Sequence, residues 1–158
     1  PRRQRQMCIR DRYKQGYFKP RNPQRYKGNA TDIVYRSSLE LKFLMYLDSH
    51  PQVIRYASEE GFMVVTYVNP LTGRSHRYFP DMWFQKKDKN GVIKTFLVEV
   101  KPHSETLPPT KPKDARSSKR FMRQAATYAI NRRKWDAAEA MCAKKGWEFK
   151  IITDRHLK

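Results

Sequence analysis

The sequence predicts an α/β (α+β) fold in the order helix, three strands, helix, strand, with helices flanking a sheet. Three observations predict it. Residues 35–50 carry apolar side chains at helical spacing, whereas residues 53–101 contain short apolar runs separated by tight turns. Residues 117–145 then return to helical spacing, and a last apolar run follows at 147–153. Strands grouped between helices are typical of α+β domains.

The composition favours one folded and strongly basic domain. The 158 residues carry a net charge of +19 and are 39% hydrophobic, so the chain can bury a substantial core. The charge indicates a polyanionic partner; a membrane surface is the lesser alternative, since no apolar run reaches the ~20 residues of a spanning helix. Cys8 and Cys142 suggest no disulfide framework, and no signal peptide is evident, so we expect a reducing cytosol.

Residues 1–34 are predicted to form a basic, aromatic-rich N-terminal arm, and residues 35–158 the folded domain. Between Pro1 and Lys27 there are ten Lys or Arg residues and one acid, Asp11. Aromatic side chains are interleaved with them, which suits a nucleic-acid surface or a strap that folds over a partner. A solvated, poorly ordered tail is the alternative.

The first helix is predicted over residues 35–50. Ser37 followed by Glu40 is a capping-box pattern, in which the glutamate closes the helix N-terminus. Glu40 also lies on the apolar stripe of this helix, so its position supports a role as a cap and a role in a site beside the sheet equally. The stripe consists of Leu39, Phe43, Leu44 and Leu47.

Three strands are predicted next, connected as an antiparallel meander. The main strands are expected at residues 62–68, 75–85 and 92–101, with a further short strand at 53–56. In the third, Leu97, Val98 and Val100 predict burial. Because side chains alternate along a strand, Glu99 and Lys101 are expected on the face opposite Val98 and Val100.

The hairpin between the second and third strands decides where Asp81 lies. An Asn-Gly pair at 90–91 is a strong turn signal. A two-residue loop there would place Asp81 opposite Val100, whereas a three-residue loop at 89–91 would place it opposite Glu99, the register we favour. Two facing carboxylates repel each other unless a cation lies between them, and hard oxygen ligands suit Mg²⁺ or Mn²⁺.

A proline-rich loop at residues 102–113 is expected to rim this site. The second helix is predicted from Ser117 or Ser118 to Lys145, with a break or bend at residues 131–133 and a stop at Gly146. A final strand is expected at 147–153.

The segment from Lys111 to Lys134 is a second basic concentration, with nine Lys or Arg residues and one acid. Together with the arm it accounts for +17 of the net charge of +19. Nearly uncompensated charge of this kind favours phosphate contact over an ordinary solvated face. The residues expected to contact DNA are Lys111, Lys113, Lys119, Arg120, Arg123, Arg132 and Arg133.

Pro80-Asp81, Glu99-Val100-Lys101 and Glu40 resemble the motif of the PD-(D/E)xK nuclease superfamily. The segments around them resemble the TnsA-like endonuclease domain; they are Tyr35–Glu40, Arg77–Asp81 and Leu97–Pro102. From about Tyr26 to Leu157 the chain is also similar to the head-completion nucleases of T-even-like tailed phages. This resemblance implies a restriction-endonuclease-like αβββαβ core with a mixed central sheet.

The resemblance also implies an activity: a Mg²⁺-dependent DNA endonuclease, with Mn²⁺ as a substitute, acting on packaged DNA ends during head completion before tail attachment. Asp81 and Glu99 would hold the metal with the Val100 carbonyl, and Glu40 would hold a second ion or a metal-bound water. Lys101 would orient the attacking water or stabilise charge on the phosphorane. The implied partners are double-stranded DNA and phage head and neck proteins. The implied location is the host cytoplasm during assembly, or the virion.

Three other functions compete with this one. A non-catalytic structural DNA-binding protein of the phage head or neck would keep the basic surface without needing the acids. A junction resolvase or restriction-type enzyme of the same superfamily would prefer branched or sequence-defined DNA. A ribosomal-type RNA binder would explain the charge but leave the acidic cluster without a purpose.

Overall fold

The computed structural model describes residues 15–157 of the chain. Two α-helices and eight strands form within that range, joined by short 3₁₀ turns. The helices are α1 (Ser38–Ser49) and α2 (Ser118–Lys145). The strands are β1 (Gly16–Tyr17), β2 (Val34–Tyr35), β3 (Val53–Ser58), β4 (Val65–Val68), β5 (Ser75–Tyr78), β6 (Met82–Lys87), β7 (Ile93–Val100) and β8 (Glu148–Ile152).

A four-stranded sheet in the order β3-β6-β7-β8 is the centre of the fold. Strands β3, β6 and β7 are antiparallel neighbours, whereas β8 runs parallel to β7 after the crossover through α2. The predicted mixed sheet flanked by helices is therefore confirmed. Two further pairs, β1-β2 and β4-β5, form separate two-stranded sheets.

The two faces of the central sheet bury different layers. On one face, Phe84 and Val98 pack with α1 residues such as Leu44. On the other, Trp83 and Leu97 pack with α2 and the β4-β5 hairpin. Side chains that alternate along β6 and β7 thus pack into two separate cores. Near the end of β7, the odd-numbered residues 97 and 99 face the α2 side of the sheet.

Helix α1 begins at Ser38, so the predicted start at Tyr35 was wrong by three residues. Ser37 is the N-cap, with its hydroxyl 3.1 Å from the backbone nitrogen of Glu40, whose N–H it accepts. Tyr35 is instead paired in β2 with Gly16. The capping pattern placed the boundary better than the apolar periodicity did.

The first central strand is β3, at the position where only a short strand was expected. The apolar run at 62–68, predicted as a main strand, begins with a 3₁₀ turn at Gly61–Met63 and continues as β4, outside the central sheet. Met63 and Val65 are nonetheless fully buried, because they pack under α2 and Trp83. These residues are buried although they lie outside the central sheet. Their apolar character therefore led to the wrong prediction of a main strand at 62–68.

The strand predicted over residues 75–85 is two strands. Tyr78 ends β5, Met82 begins β6, and the chain between them leaves one sheet for the other. Pro80 has no N–H to donate to a ladder, which favours the break there. The predicted antiparallel meander is therefore interrupted by the β4-β5 hairpin.

The hairpin register is the predicted one. Met82 pairs with Val98 and Phe84 with Phe96, as a three-residue loop requires. The N–H of Asp88 donates to the carbonyl of Val92 at 2.9 Å, and Gly91 takes the left-handed backbone that this turn needs, with φ +79°.

Helix α2 runs unbroken through residues 131–133, so the predicted break is absent; the stretch contains neither proline nor glycine. Gly146 ends the helix with φ +71°. The buried residues of α2 all lie in the second half of the helix and are Trp135, Ala138 and Cys142. Neither helix in the described part of the chain has the apolar length that a bilayer crossing demands.

Residues 15–34 pack against the domain through Asp48 of α1, whose side chain is buried. Its carboxylate accepts the backbone N–H groups of Arg21 at 2.8 Å and Asn22 at 3.2 Å, and the hydroxyl of Tyr56 at 3.0 Å. Tyr26 is buried in the α1-side core. The N-terminal part of the predicted arm, residues 1–14, lies outside the described residues, and the division at residue 34 stays a prediction.

Candidate active site

The end of β7 carries an acid and an amine on one face, as predicted from alternation. Glu99 is 6% exposed. Its Oε1 lies 2.9 Å from the Nζ of Lys101. An ion pair this well buried depends on hydrogen bonds to the remaining carboxylate oxygen, because solvent is not there to supply them.

Tyr78 supplies that hydrogen bond. Its hydroxyl donates to Glu99 Oε2 at 2.5 Å, from the last residue of β5. Burial raises the pKa of the Tyr78 phenol far above its usual range, and the charge of Glu99 raises it further. The phenol therefore stays a donor. Sequence reasoning missed this residue, although it lies in the Arg77–Asp81 segment; a hydroxyl-bearing aromatic three residues before the acid was the available signal.

Asp81 lies at the break between β5 and β6, beside the end of β7. Its Oδ2 accepts the backbone N–H of Val100 at 2.7 Å. Burial holds the pKa of the Asp81 carboxyl well above its usual range, and the negative charge of Glu99 adds to the effect. The charge of Glu40 acts in the same direction, so two neighbouring carboxylates oppose the ionisation of Asp81.

Lys101 is held in its ammonium form. Burial alone would lower the pKa of its amine, but the charge and hydrogen bond of Glu99 and the charge of Asp81 outweigh burial and raise it. A protonated lysine can donate hydrogen bonds and neutralise charge, but it cannot accept a proton. The role of Lys101 is thus that of a cation.

Glu40 is engaged at the start of α1. Its Oε2 accepts the backbone N–H of Arg36 at 2.8 Å, and its Oε1 accepts the Ser37 hydroxyl at 3.1 Å. These contacts confirm the capping role. Its effect on the pKa of Asp81 shows that it also belongs to the electrostatic surroundings of the site.

Two rim residues were not anticipated. The exposed guanidinium of Arg36 pairs with the carboxylate of Glu59, whose hydrogen bond and charge raise the pKa of Arg36, and the charges of Glu40 and Asp81 add to the effect. Glu59 has a positive φ of 50°, uncommon for a residue other than glycine, and its N–H donates to the Asp81 carbonyl at 3.2 Å. The positions of Arg36 and Glu59 at the site arise from contacts between segments that are distant in the sequence. Local sequence patterns do not predict such contacts.

Comparison with known proteins decides the family. Residues 50–154 match the family described as TnsA-like endonuclease N terminal. The chain is also 37% identical over 145 residues to a protein of Enterobacteria phage T4 named head completion nuclease, covering 90% of this chain and 93% of that protein. The chain belongs to the TnsA-like endonuclease family. Its two predicted carboxylates and lysine, Asp81, Glu99 and Lys101, all lie within the matched range.

A TnsA-like endonuclease that used a divalent ion here would have few protein ligands. Among residues 15–157, no group of three or more His, Cys, Asp or Glu side chains is arranged to hold a metal. Asp81 and Glu99 offer hard carboxylate oxygens, which fit Mg²⁺ or Mn²⁺ chemically, and such ions commonly keep several waters. The donor set fits a cation completed by water, backbone carbonyl and substrate phosphate.

The basic residues expected to contact DNA are all exposed in this TnsA-like endonuclease. Arg132 pairs with Asp136 at 3.3 Å on the same helix. Within residues 15–157, no carboxylate lies at ion-pair distance from the others, which are Lys111, Lys113, Lys119, Arg120, Arg123 and Arg133. Their charges therefore remain available to an external polyanion.

A groove of about 630 Å³ separates the first half of α2 from the loop after β7. Arg123, Gln124 and Tyr128 line it from the helix, and Glu105 from the loop. The charge of Glu105 helps to raise the pKa of Lys101, so this groove begins close to the acidic cluster. The proline-rich loop therefore borders the site, as its place in the sequence predicted.

Proposed function

We propose that this chain is a divalent-metal-dependent DNA endonuclease that acts on DNA ends in phage head completion before tail attachment. The observation that carries the chemistry is the grouping of Asp81, Glu99 and Lys101 at the end of β7. The family supports phosphodiester cleavage, and the name of the T4 relative supports the stage of assembly.

In this function Asp81 and Glu99 hold the cation, together with the carbonyl of Val100. The raised pKa of Asp81 supports this role, because a cation beside the cluster would relieve the repulsion that protonation otherwise relieves. When bound, a divalent ion lowers the pKa of a water and polarises the scissile phosphate.

Lys101 would donate a hydrogen bond to the phosphate oxygen that gains negative charge as the water oxygen bonds to phosphorus, releasing its proton to solvent, and the bond to the leaving oxygen breaks. Glu99 keeps the amine protonated and fixes its position. A preorganised cation at the developing charge is worth roughly 10²–10³ in rate. Glu40 acts at the edge of this cluster, as an anchor for a water or a second ion.

The duplex is held by the exposed basic residues of α2 and the preceding loop. Such contacts position the backbone without reading sequence. They are expected to make binding strongly salt-dependent. Head and neck proteins would be further partners, since finishing a filled head places the enzyme beside them.

The test is nicking of supercoiled plasmid by wild type and Lys101→Ala, with Mg²⁺ titrated after EDTA treatment. The matched control is Lys150→Ala, because Glu148 and Lys150 repeat the Glu-x-Lys spacing as the exposed residues of strand β8, with their charged groups 3.9 Å apart.

Wild type and Lys150→Ala should nick only with added metal, and Lys101→Ala should be slower by about 10²–10³ while binding DNA normally. Equal nicking by Lys101→Ala and wild type would overturn the catalytic assignment. Absence of nicking by the folded wild type at every metal concentration would leave a non-catalytic DNA-binding protein.

A further inference from the structure

Within residues 15–157, the Tyr78 hydroxyl donates a hydrogen bond to the Glu99 carboxylate from a strand other than β7. Tyr78 ends β5, is 6% exposed, and belongs to the α2-side core. The break after it, at residues 79–81, sends the chain from the two-stranded sheet to the central one. This places the phenol against the end of β7 rather than along it.

The two oxygens of Glu99 have different partners. Oε1 receives the Lys101 ammonium at 2.9 Å, and Oε2 receives the Tyr78 hydroxyl at 2.5 Å. An ammonium can bind both oxygens of a free carboxylate by rotation of the side chain, since it is a compact charge on a flexible stem. The phenol opposes that rotation by fixing one oxygen.

We propose that Tyr78 is a positioning residue for metal binding: its hydroxyl holds Oε2 of Glu99, so that Lys101 engages one carboxylate oxygen and not both, and the carboxylate remains presented to a divalent cation. This inference rests on the proposed function, because it assumes that Glu99 is a ligand. Hydrogen bonds that orient ligating side chains typically contribute 10–100-fold to metal affinity. The hydroxyl of Tyr78 would thus orient the metal ligand Glu99, while its ring packs in the α2-side core.

The test is Mn²⁺ binding to the DNA-free protein, followed by electron paramagnetic resonance and by the metal-induced rise in melting temperature. Tyr78→Phe removes only the hydroxyl and keeps the ring. Its matched control is Tyr56→Phe, which removes another buried hydroxyl, donated at 3.0 Å to Asp48 in the α1-side core. Far-ultraviolet circular dichroism checks that both variants fold.

We expect Tyr78→Phe to bind Mn²⁺ about 10–100-fold more weakly than wild type, and Tyr56→Phe to bind it normally. Nicking by Tyr78→Phe should recover at high Mn²⁺, since the substitution raises the metal requirement and leaves Lys101 in place. If the role of Tyr78 were purely structural, Tyr78→Phe and Tyr56→Phe would both be less stable than wild type but would bind Mn²⁺ with equal affinity. That result would contradict the proposal.

A second variant, Lys101→Met, tests the inference from the other partner of Glu99. Replacing Lys101 by Met removes the competing ammonium, so Mn²⁺ affinity should rise more in the Tyr78→Phe background than in wild type. Equal gains in the two backgrounds, or unchanged Mn²⁺ affinity in Tyr78→Phe, would refute the positioning role alone. Failure of the folded wild type to bind Mn²⁺ would refute the proposed function with it.

Discussion

The backbone N–H of Val100 lies 2.7 Å from Oδ2 of Asp81 and donates to it. This contact joins the end of β7 to the break that precedes β6. It fixes a carboxyl beside Glu99 at a point where burial and like charge both oppose ionisation. The protein thus maintains a destabilising arrangement at the place where the proposed chemistry needs it.

We predict that Asp81→Asn stabilises the metal-free protein at neutral pH while abolishing nicking. Because the pKa of Asp81 is raised on folding, the native state binds the proton more tightly than the unfolded state does. The contribution of Asp81 to stability should therefore be most favourable below the unfolded pKa of about 3.9 and be lost as pH rises through the folded value. Asn keeps an acceptor oxygen for Val100 and removes the charge.

Urea unfolding in EDTA from pH 4 to pH 8 measures this effect. Asp81→Asn should gain about 0.5–3 kcal/mol over wild type at pH 7, a gain that disappears toward pH 4. Asp136→Asn, an exposed acid on α2, is the control and should change little. If Asp81→Asn were less stable than wild type at pH 7, the claim that the ionised Asp81 carboxylate destabilises the fold would be contradicted.

We predict that Glu40→Gln separates the two roles of that residue. The amide oxygen can still accept the N–H of Arg36, so the start of α1 should remain intact and stability should stay within about 0.5 kcal/mol of wild type. Nicking should fall sharply, because the negative charge beside Asp81 is gone. Glu40→Ala, which removes the cap as well, should lose both properties; full nicking by Glu40→Gln would reduce Glu40 to a cap.

We predict that the first half of α2 binds the DNA backbone. Arg120→Gln with Arg123→Gln should weaken duplex binding and lower the slope of log affinity against log salt by about 2, close to one unit for each lost phosphate contact. Lys144→Gln with Lys145→Gln removes the same charge from the other end of the same helix and is the matched control. Fluorescence anisotropy with labelled duplex measures both, and equal slopes would remove this surface.

We predict that Asp48→Ala releases the segment at residues 17–26. Its carboxylate accepts two backbone N–H groups and a buried phenol, and loss of such an acceptor leaves those donors unpaired. Stability should fall by about 3 kcal/mol or more, with faster amide hydrogen exchange in Arg21 and Asn22. Asp32→Ala, an exposed acid in the same region, is the control, and unchanged exchange in Asp48→Ala would disprove the role.

The sequence predicted the elements that depend on local rules. The Asn-Gly turn located the hairpin between β6 and β7 but left two registers open, and the favoured register with a three-residue loop is the one observed. Helix α2 followed from periodicity and from the glycine that ends it. These features need only neighbouring residues, so one chain without relatives was enough to find them.

What the sequence did not predict depends on packing between distant segments. Met63 and Val65 are buried whether or not they join the central sheet, so apolar content could not assign them. Tyr78 reaches Glu99 only because the chain changes sheets after it. Arg36 and Glu59 meet across 23 positions of the chain, and no spacing rule connects them.

Helix α2 has no buried residue before Trp135. At 1.5 Å per residue, the stretch from 118 to 134 is about 25 Å long, which equals the rise of roughly seven base pairs. In the proposed function, DNA binding would therefore lie on the first half of α2, and cleavage would lie at the end of β7. Under this proposal, substitutions on the exposed first half of α2 could change DNA affinity without altering Asp81, Glu99 or Lys101.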